Sequence, residues 1–264
     1  MKKSSYIIIL LCVLSSLQIN AQHWIDTTIY NAQVKLVDEF INRFNGDELR
    51  TDIDTLSNKD TLNILLLFDL AKFTSDTCLV YQEALSFVDT ILSIQTKINY
   101  ADSMWCAEAE CKAVLAGKQY PLTFLLSIEP KGKDMYKWVI SDVQSPLFNS
   151  EDLTPIKGLY LMPDSHEMEF MGLQRNISEA PQYITSLMPN SFALTPLQVF
   201  ASLVYAKQLK IKPIEQIKFH FYQVPGWKFT IRYFSRENKN SGWLIDSLQR
   251  MTDEEKQLFL NKLH

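Results

Sequence analysis

The chain has 264 residues, of which 47% are apolar, 12% aromatic and 21% charged, with a formal net charge of −4. This globular composition excludes a disordered or collagen-like chain, and the charge is too acidic overall for a default nucleic-acid binder. Gly46, Gly117, Gly132, Gly158, Gly172, Gly226 and Gly242 include no G-x-G spacing, so the dinucleotide fingerprint and the Walker P-loop are both absent.

Lys2 and Lys3 precede 12 residues without charge, Tyr6–Leu17, followed by polar residues and a small one at Ala21. That is the order of a secretory signal peptide, and the run is too short to cross a hydrocarbon core about 30 Å thick. Residues 1–21 are expected to be removed, leaving an exported chain, periplasmic or extracellular, that starts near Gln22. Taking Lys2 and Lys3 from the 26 basic residues leaves 24 against 30 acidic ones, a formal −6. No later stretch reaches about 18 uncharged apolar residues, so no transmembrane anchor is expected. Beyond the signal lie Cys78, Cys106 and Cys111, an odd number for an oxidising compartment. Cys106 and Cys111, five positions apart in one expected strand, point to opposite faces and should not pair.

Val34, Val37, Ile41 and Phe44 recur at helical spacing over Ala32–Phe44, and Asn45-Gly46 supplies a left-handed stop. Ser57 and Asp60 frame a second start, and Leu62–Phe73, apolar nearly all round, predicts a central helix. A third helix is expected from about Leu79 to Leu92.

The period then changes to two. In Trp105–Leu115 the odd positions are apolar and the even ones include Glu108, Glu110 and Lys112, whereas Tyr120, Leu122, Phe124, Leu126 and Ile128 reverse that parity. A turn at Gly117-Lys118 would pair Leu115 with Tyr120 and unite both apolar sets. A third strand with Tyr136, Trp138 and Ile140 follows Pro130-Lys131-Gly132. Residues 145–176, with Pro146, Pro155 and Pro163, read as a connector, and we place the boundary between the halves 22–150 and 151–264 within it.

The second half repeats the plan. Helices are expected at Glu179–Leu187 and Leu197–Leu209, the latter with Thr195 as N-cap and Pro196 at its first position. Strands follow at Ile217–Gln223, Trp227–Phe234 and Trp243–Leu248, and Thr252-Asp253-Glu254-Glu255 opens a last helix through Leu263. A shift of 105 positions lays Phe124 on Phe229, Leu126 on Ile231, Ile128 on Tyr233, Trp138 on Trp243, Ile140 on Ile245 and Gln144 on Gln249. The fold class is therefore α+β: helices packed on a curved antiparallel meander, an arrangement read as present twice, by duplication or by the common physics of amphipathic strands.

The strand segments Trp105–Val143 and Ile217–Leu248, each preceded by helices, resemble the NTF2-like superfamily, which wraps a bent sheet around N-terminal helices, and its exported bacterial domains of no assigned activity. Catalytic members place acidic, His or Tyr groups inside the cone, but no motif here transfers such a residue. The inward face offers Trp105, Tyr120, Phe124, Tyr136 and Trp138, read first as core packing and only then as an aromatic ligand pocket.

No nucleophile elbow, H-E-x-x-H or C-x-x-C is present. His166, in Asp164-Ser165-His166-Glu167-Met168-Glu169, offers too few convergent ligands for a zinc site, so no metal and no cofactor is expected. The constellation that remains depends on register. A three-residue loop, Val224–Gly226, joins Ile217, Phe219 and Phe221 to Trp227, Phe229 and Ile231 on one apolar face. It gathers Lys218, His220, Tyr222, Lys228, Thr230 and Arg232 on the other, with Lys218 opposite Arg232. Like charges across strands are slightly unfavourable unless an anion meets them. The leading expectation is thus an exported, non-catalytic binding or interaction module using Lys218, His220, Tyr222, Lys228 and Arg232 toward an anionic ligand or protein. Self-association through the acidic face of Glu108, Glu110 and Glu129 is a variant. The alternative is an extracytoplasmic NTF2-like hydrolase or isomerase on a small molecule, which requires titratable groups converging in a pocket.

Overall fold

A computed structural model of the chain describes residues 36–48, 58–133, 135–148, 171–179, 181, 184, 187–189, 191–237 and 240–261. The signal sequence, the start of the first helix at Ala32, Ser57, the boundary at 150 and the His166 stretch lie outside the described residues. Helix α1, Val37–Phe44, buries Phe40, Ile41 and Phe44, and Gly46 follows its end with φ +72°. Helix α2, Lys59–Leu65, stops well short of the long central helix expected there. The chain turns at Leu66–Leu67, and Phe68 pairs as an isolated bridge. Asp69 N donates to Ile245 O (3.0 Å) and Ile245 N to Leu67 O (2.7 Å), a parallel bridge centred on Phe68. Asn240 clamps the same segment, donating from Nδ2 to Phe68 O (3.0 Å) and accepting at Oδ1 from Leu70 N (2.9 Å). A continuous apolar run is equally suited to a buried helix or a buried extended segment, and here hydrogen bonding to a distant strand decides. A 3-10 turn, Leu70–Lys72, is capped by Asp69, whose Oδ1 accepts from Ala71 N, and α3, Leu79–Ile94, ends at Gln95 in the left-handed region (φ 50°).

Strands β1 (Trp105–Leu115), β2 (Lys118–Gly132) and β3 (Met135–Gln144) form the first meander. Its first turn is Ala116-Gly117, both at positive φ as a type I′ hairpin turn demands, so Leu115 faces Lys118 and Ala113 faces Tyr120. This corrects the expected Leu115–Tyr120 pairing by two positions, which leaves every side chain on its expected face. Helix α4 (Leu173–Glu179) ends where a helix was expected to begin. Helix α5, Pro196–Tyr205, has the expected start: Gln198 N donates to Thr195 Oγ1 and Thr195 N to Gln198 Oε1. A short strand, β4 (Leu209–Ile211), replaces the end of that expected helix and pairs with β1. Strands β5 (Gln216–Phe221), β6 (Trp227–Phe234) and β7 (Gly242–Arg250) make the second meander, and α6, Asp253–Leu260, is opened by a Thr252–Glu255 capping box.

The fold is α+β, and the chain divides into two compact units. Among the described residues, one unit joins those up to Trp105 with Lys218–Phe259, and the other comprises those of Cys106–Ile217 with Leu260 onward. In the first, α1 and α3 pack on β5–β7 through stacked rings: Phe44 on Phe229 (centroids 5.5 Å), Phe221 on Phe229 (4.8 Å) and Phe87 edge-on to Trp227 (5.5 Å). In the second, the strands run in the order β3-β2-β1-β4, and α5 lays Leu197, Phe200 and Leu203 over Cys111, Leu122, Phe124 and Val143. Helix–strand packing therefore crosses the midpoint of the chain: early helices meet late strands, and a late helix meets early ones.

The two outer hairpins share one ladder. Leu126 faces Ile140 as Ile231 faces Ile245, and Ile128 faces Trp138 as Tyr233 faces Trp243. One register shift in each hairpin also falls at the corresponding step, Leu125/Leu126 and Thr230/Ile231, so Ser141 and Asp246 are the bulged residues; a second shift in the first hairpin, Pro130/Gly132, lies beyond the matched steps. All of these positions are related by the 105-residue shift. What differs is cover. Tyr136, Trp138 and Ile140 are 49%, 40% and 39% exposed, which corrects the expectation of an inward aromatic face at Tyr136 and Trp138. Ile245, the counterpart of Ile140, is 1% exposed beneath Phe68.

Candidate functional site

The loop register expected for β5 and β6 is present: Lys218 pairs with Arg232, His220 with Thr230 and Phe221 with Phe229. The polar face that this creates is not an open cationic surface. Tyr222 is 1% exposed and stacks on Phe259 of α6 (5.1 Å), while Lys228 Nζ lies over both rings at 5.7 and 5.8 Å. His220 is buried, with Nδ1 2.9 Å from Thr230 Oγ1. Lys218, Lys228 and Arg232 are half-buried. Helix α6 closes part of this face because Lys256 anchors it: fully buried, it donates from Nζ to Val224 O (2.6 Å) in the β5–β6 loop. Burial pushes the Lys256 ammonium below its usual range, and nearby Asp253 only partly opposes that shift.

Arg232 points its charge inward to the protein as well. The bulge at Asp246 turns that carboxylate out of the ladder, where Lys72 Nζ reaches Oδ1 at 2.6 Å and Arg232 Nε lies 3.1 Å away, close enough for an ion pair though not aligned as a hydrogen bond. Beside it, buried Asp69 accepts from Arg236 (2.7 Å), whose guanidinium it holds above its ordinary range. Asp69, Lys72 and Asp246 border a cavity of about 190 Å³ floored by Phe68, Phe73, Val80 and Leu248. It brings Asp69, Lys72, Glu83 and Asp246 together, a cluster that strand alternation could not reveal because it depends on a bulge and a broken helix. Two of its three carboxylates are already committed to cations.

A second cavity, about 380 Å³, lies where the ends of α1 and α3 meet α2. Among the described residues no group of three or more His, Cys, Asp or Glu could hold a metal, and no helix is long and apolar enough to cross a membrane. Cys78, Cys106 and Cys111 are not disulfide-bonded; Cys106 and Cys111 are buried, and burial together with the Glu215 charge raises the Cys111 thiol. Comparison with known proteins gives no neighbour to this arrangement: no family model, curated protein or solved structure matches the chain.

Proposed function

We propose that the chain is an exported, non-catalytic interaction module, and that its partner is an extended apolar segment of another protein added along the outer edge of β3. The observation that carries this reading is the unequal cover of two ladders of identical register. On β7 the site is filled by the chain's own Leu67–Asp69, with Phe68 bridging Ile245, whereas the corresponding Ile140 on β3 is 39% exposed beside Met135, Tyr136 and Trp138. Equal register implies that Ile140 turns its N–H and C=O away from β2 just as Ile245 turns its own toward Leu67 and Asp69. A terminal strand with an apolar stripe is a template for strand addition, in which main-chain bonds supply affinity and alternate side chains supply selectivity.

Contact through Lys218, His220, Tyr222, Lys228 and Arg232 with an anionic partner has weaker support, since α6 covers Tyr222 and Asp246 engages Arg232. The enzyme reading is weakened similarly, because Asp69 and Asp246 are neutralised by Arg236, Lys72 and Arg232. Kinship with the NTF2-like superfamily remains part of the proposal, supported by helices packed on an antiparallel meander in each unit. Export rests on the pattern of residues 1–21 alone, and N-terminal sequencing of the secreted chain should read from near Gln22.

The test is a peptide copying residues 65–71, flanked by lysines for solubility, titrated into the full chain and followed by tryptophan fluorescence. Saturable binding lost on Ile140→Lys, and lost when the peptide carries serine in place of Phe68, is the expected result. Equal binding to the Ile140→Lys protein would remove β3 as the docking edge.

A further inference from the structure

The larger cavity of the first unit has chemistry of its own. Its floor is apolar, made by Phe44, Ile64, Ile91 and Leu92, and its rim is rich in hydrogen-bond acceptors. α1 and α3 both end here, α1 with Asn45 as C-cap and α3 with Gln95, so the negative ends of two helix dipoles border one space. Asn63 lines it while only 4% exposed. Its Nδ2 donates to Arg43 O (2.6 Å), which fixes the amide, and its Oδ1 has no hydrogen-bond partner. Leaving a buried acceptor unmade is costly, so a donor that reached it would be strongly favoured. Asp60 stands on the wall with no ion-pair partner among the described residues, and its full negative charge outweighs the partial positive charge of the short α2 N-terminus beside it. The lining cation, Lys97, is cancelled by Asp47 at 2.8 Å.

We propose that this cavity binds a small organic cation, an ammonium group on an apolar body. The charge lies toward Asp60 and the C-terminal carbonyls of α1 and α3, its N–H groups serve Asn63 Oδ1, and its carbon skeleton rests on Phe44, Ile64 and Ile91. The site is separate from the β3 edge, so either can fail without the other.

The experiment titrates phenethylammonium into the full chain by NMR, beside phenylacetate and 2-phenylethanol, which share its shape but not its charge. Saturable shifts at the amides of Asn63, Leu92 and Thr96 are expected with phenethylammonium only. Asp60→Asn, at an exposed position, should weaken binding about fivefold and leave the circular dichroism spectrum unchanged, with the difference in affinity shrinking at high salt. Comparable binding of the acid or the alcohol would overturn the cationic preference. So would unchanged affinity in Asp60→Asn, and the absence of any saturable shift with all three would overturn the site itself.

Discussion

The β2–β3 and β6–β7 hairpins carry the same ladder, step for step through the bulge, and lead opposite lives. Around β7 the bulged residue is Asp246, which gathers Lys72 and Arg232, and the strand is sealed by Phe68. Around β3 the bulged residue is Ser141, whose hydroxyl donates to Leu125 O (3.1 Å), and the apolar stripe faces outward. Register sets which side chains share a face; another layer of the protein determines whether that face is core. The coincidence of two bulges under one shift is a likeness that amphipathic alternation alone does not require, because alternation has no reason to place an irregularity.

Substitutions at matched positions sharpen the contrast. Ile245→Ala should cost about 3 kcal/mol in urea unfolding and Ile140→Ala below about 1, since only the former leaves a buried void. Similar losses at both would mean that β3 is covered in solution. Asp246→Ser, which gives the second bulge the residue of the first, should cost about 1 kcal/mol at low salt by leaving Lys72 and Arg232 to repel each other, and less in high salt. Lys256, on α6, ties the second meander through Val224 O. Because its ammonium is held below the ordinary lysine value of 10.5 in the folded protein, the unfolded chain keeps that proton to higher pH. Stability from this group therefore rises as pH climbs from the folded value toward 10.5, and Lys256→Met should flatten that part of the stability profile relative to the wild type. The smallest effect concerns thiols: Cys78, lowered by backbone hydrogen bonds from Ser75 and Tyr81, should react with a disulfide reagent well before buried Cys106 and Cys111.

Local rules made much of this legible. Alternation gave β1 and β6 their observed bounds and set Lys218 against Arg232, and Thr195 and Thr252 announced their helices. Cover was not legible. Nothing in Tyr136 or Trp138 says whether a helix lies over them, and nothing near Tyr222 says that Phe259 stacks on it. Leu66–Phe73 is apolar enough for a helix, and pairing of Phe68 with Ile245, far along the chain, breaks it there before a 3-10 turn at Leu70–Lys72. Asp60 reads as a helix-start residue and Asn63 carries no signal, since the cavity beside them exists only once three helix ends converge.

The exchange of packing partners along the chain bears on biosynthesis. Phe40, Phe44 and Phe87 wait for Phe221, Trp227 and Phe229, so during vectorial synthesis these oily surfaces stay unsheltered until the last fifth of the polypeptide emerges. Such long-range closure slows folding and invites chaperone capture. A ribosome stalled before Lys218 would hold helices that have nowhere to dock.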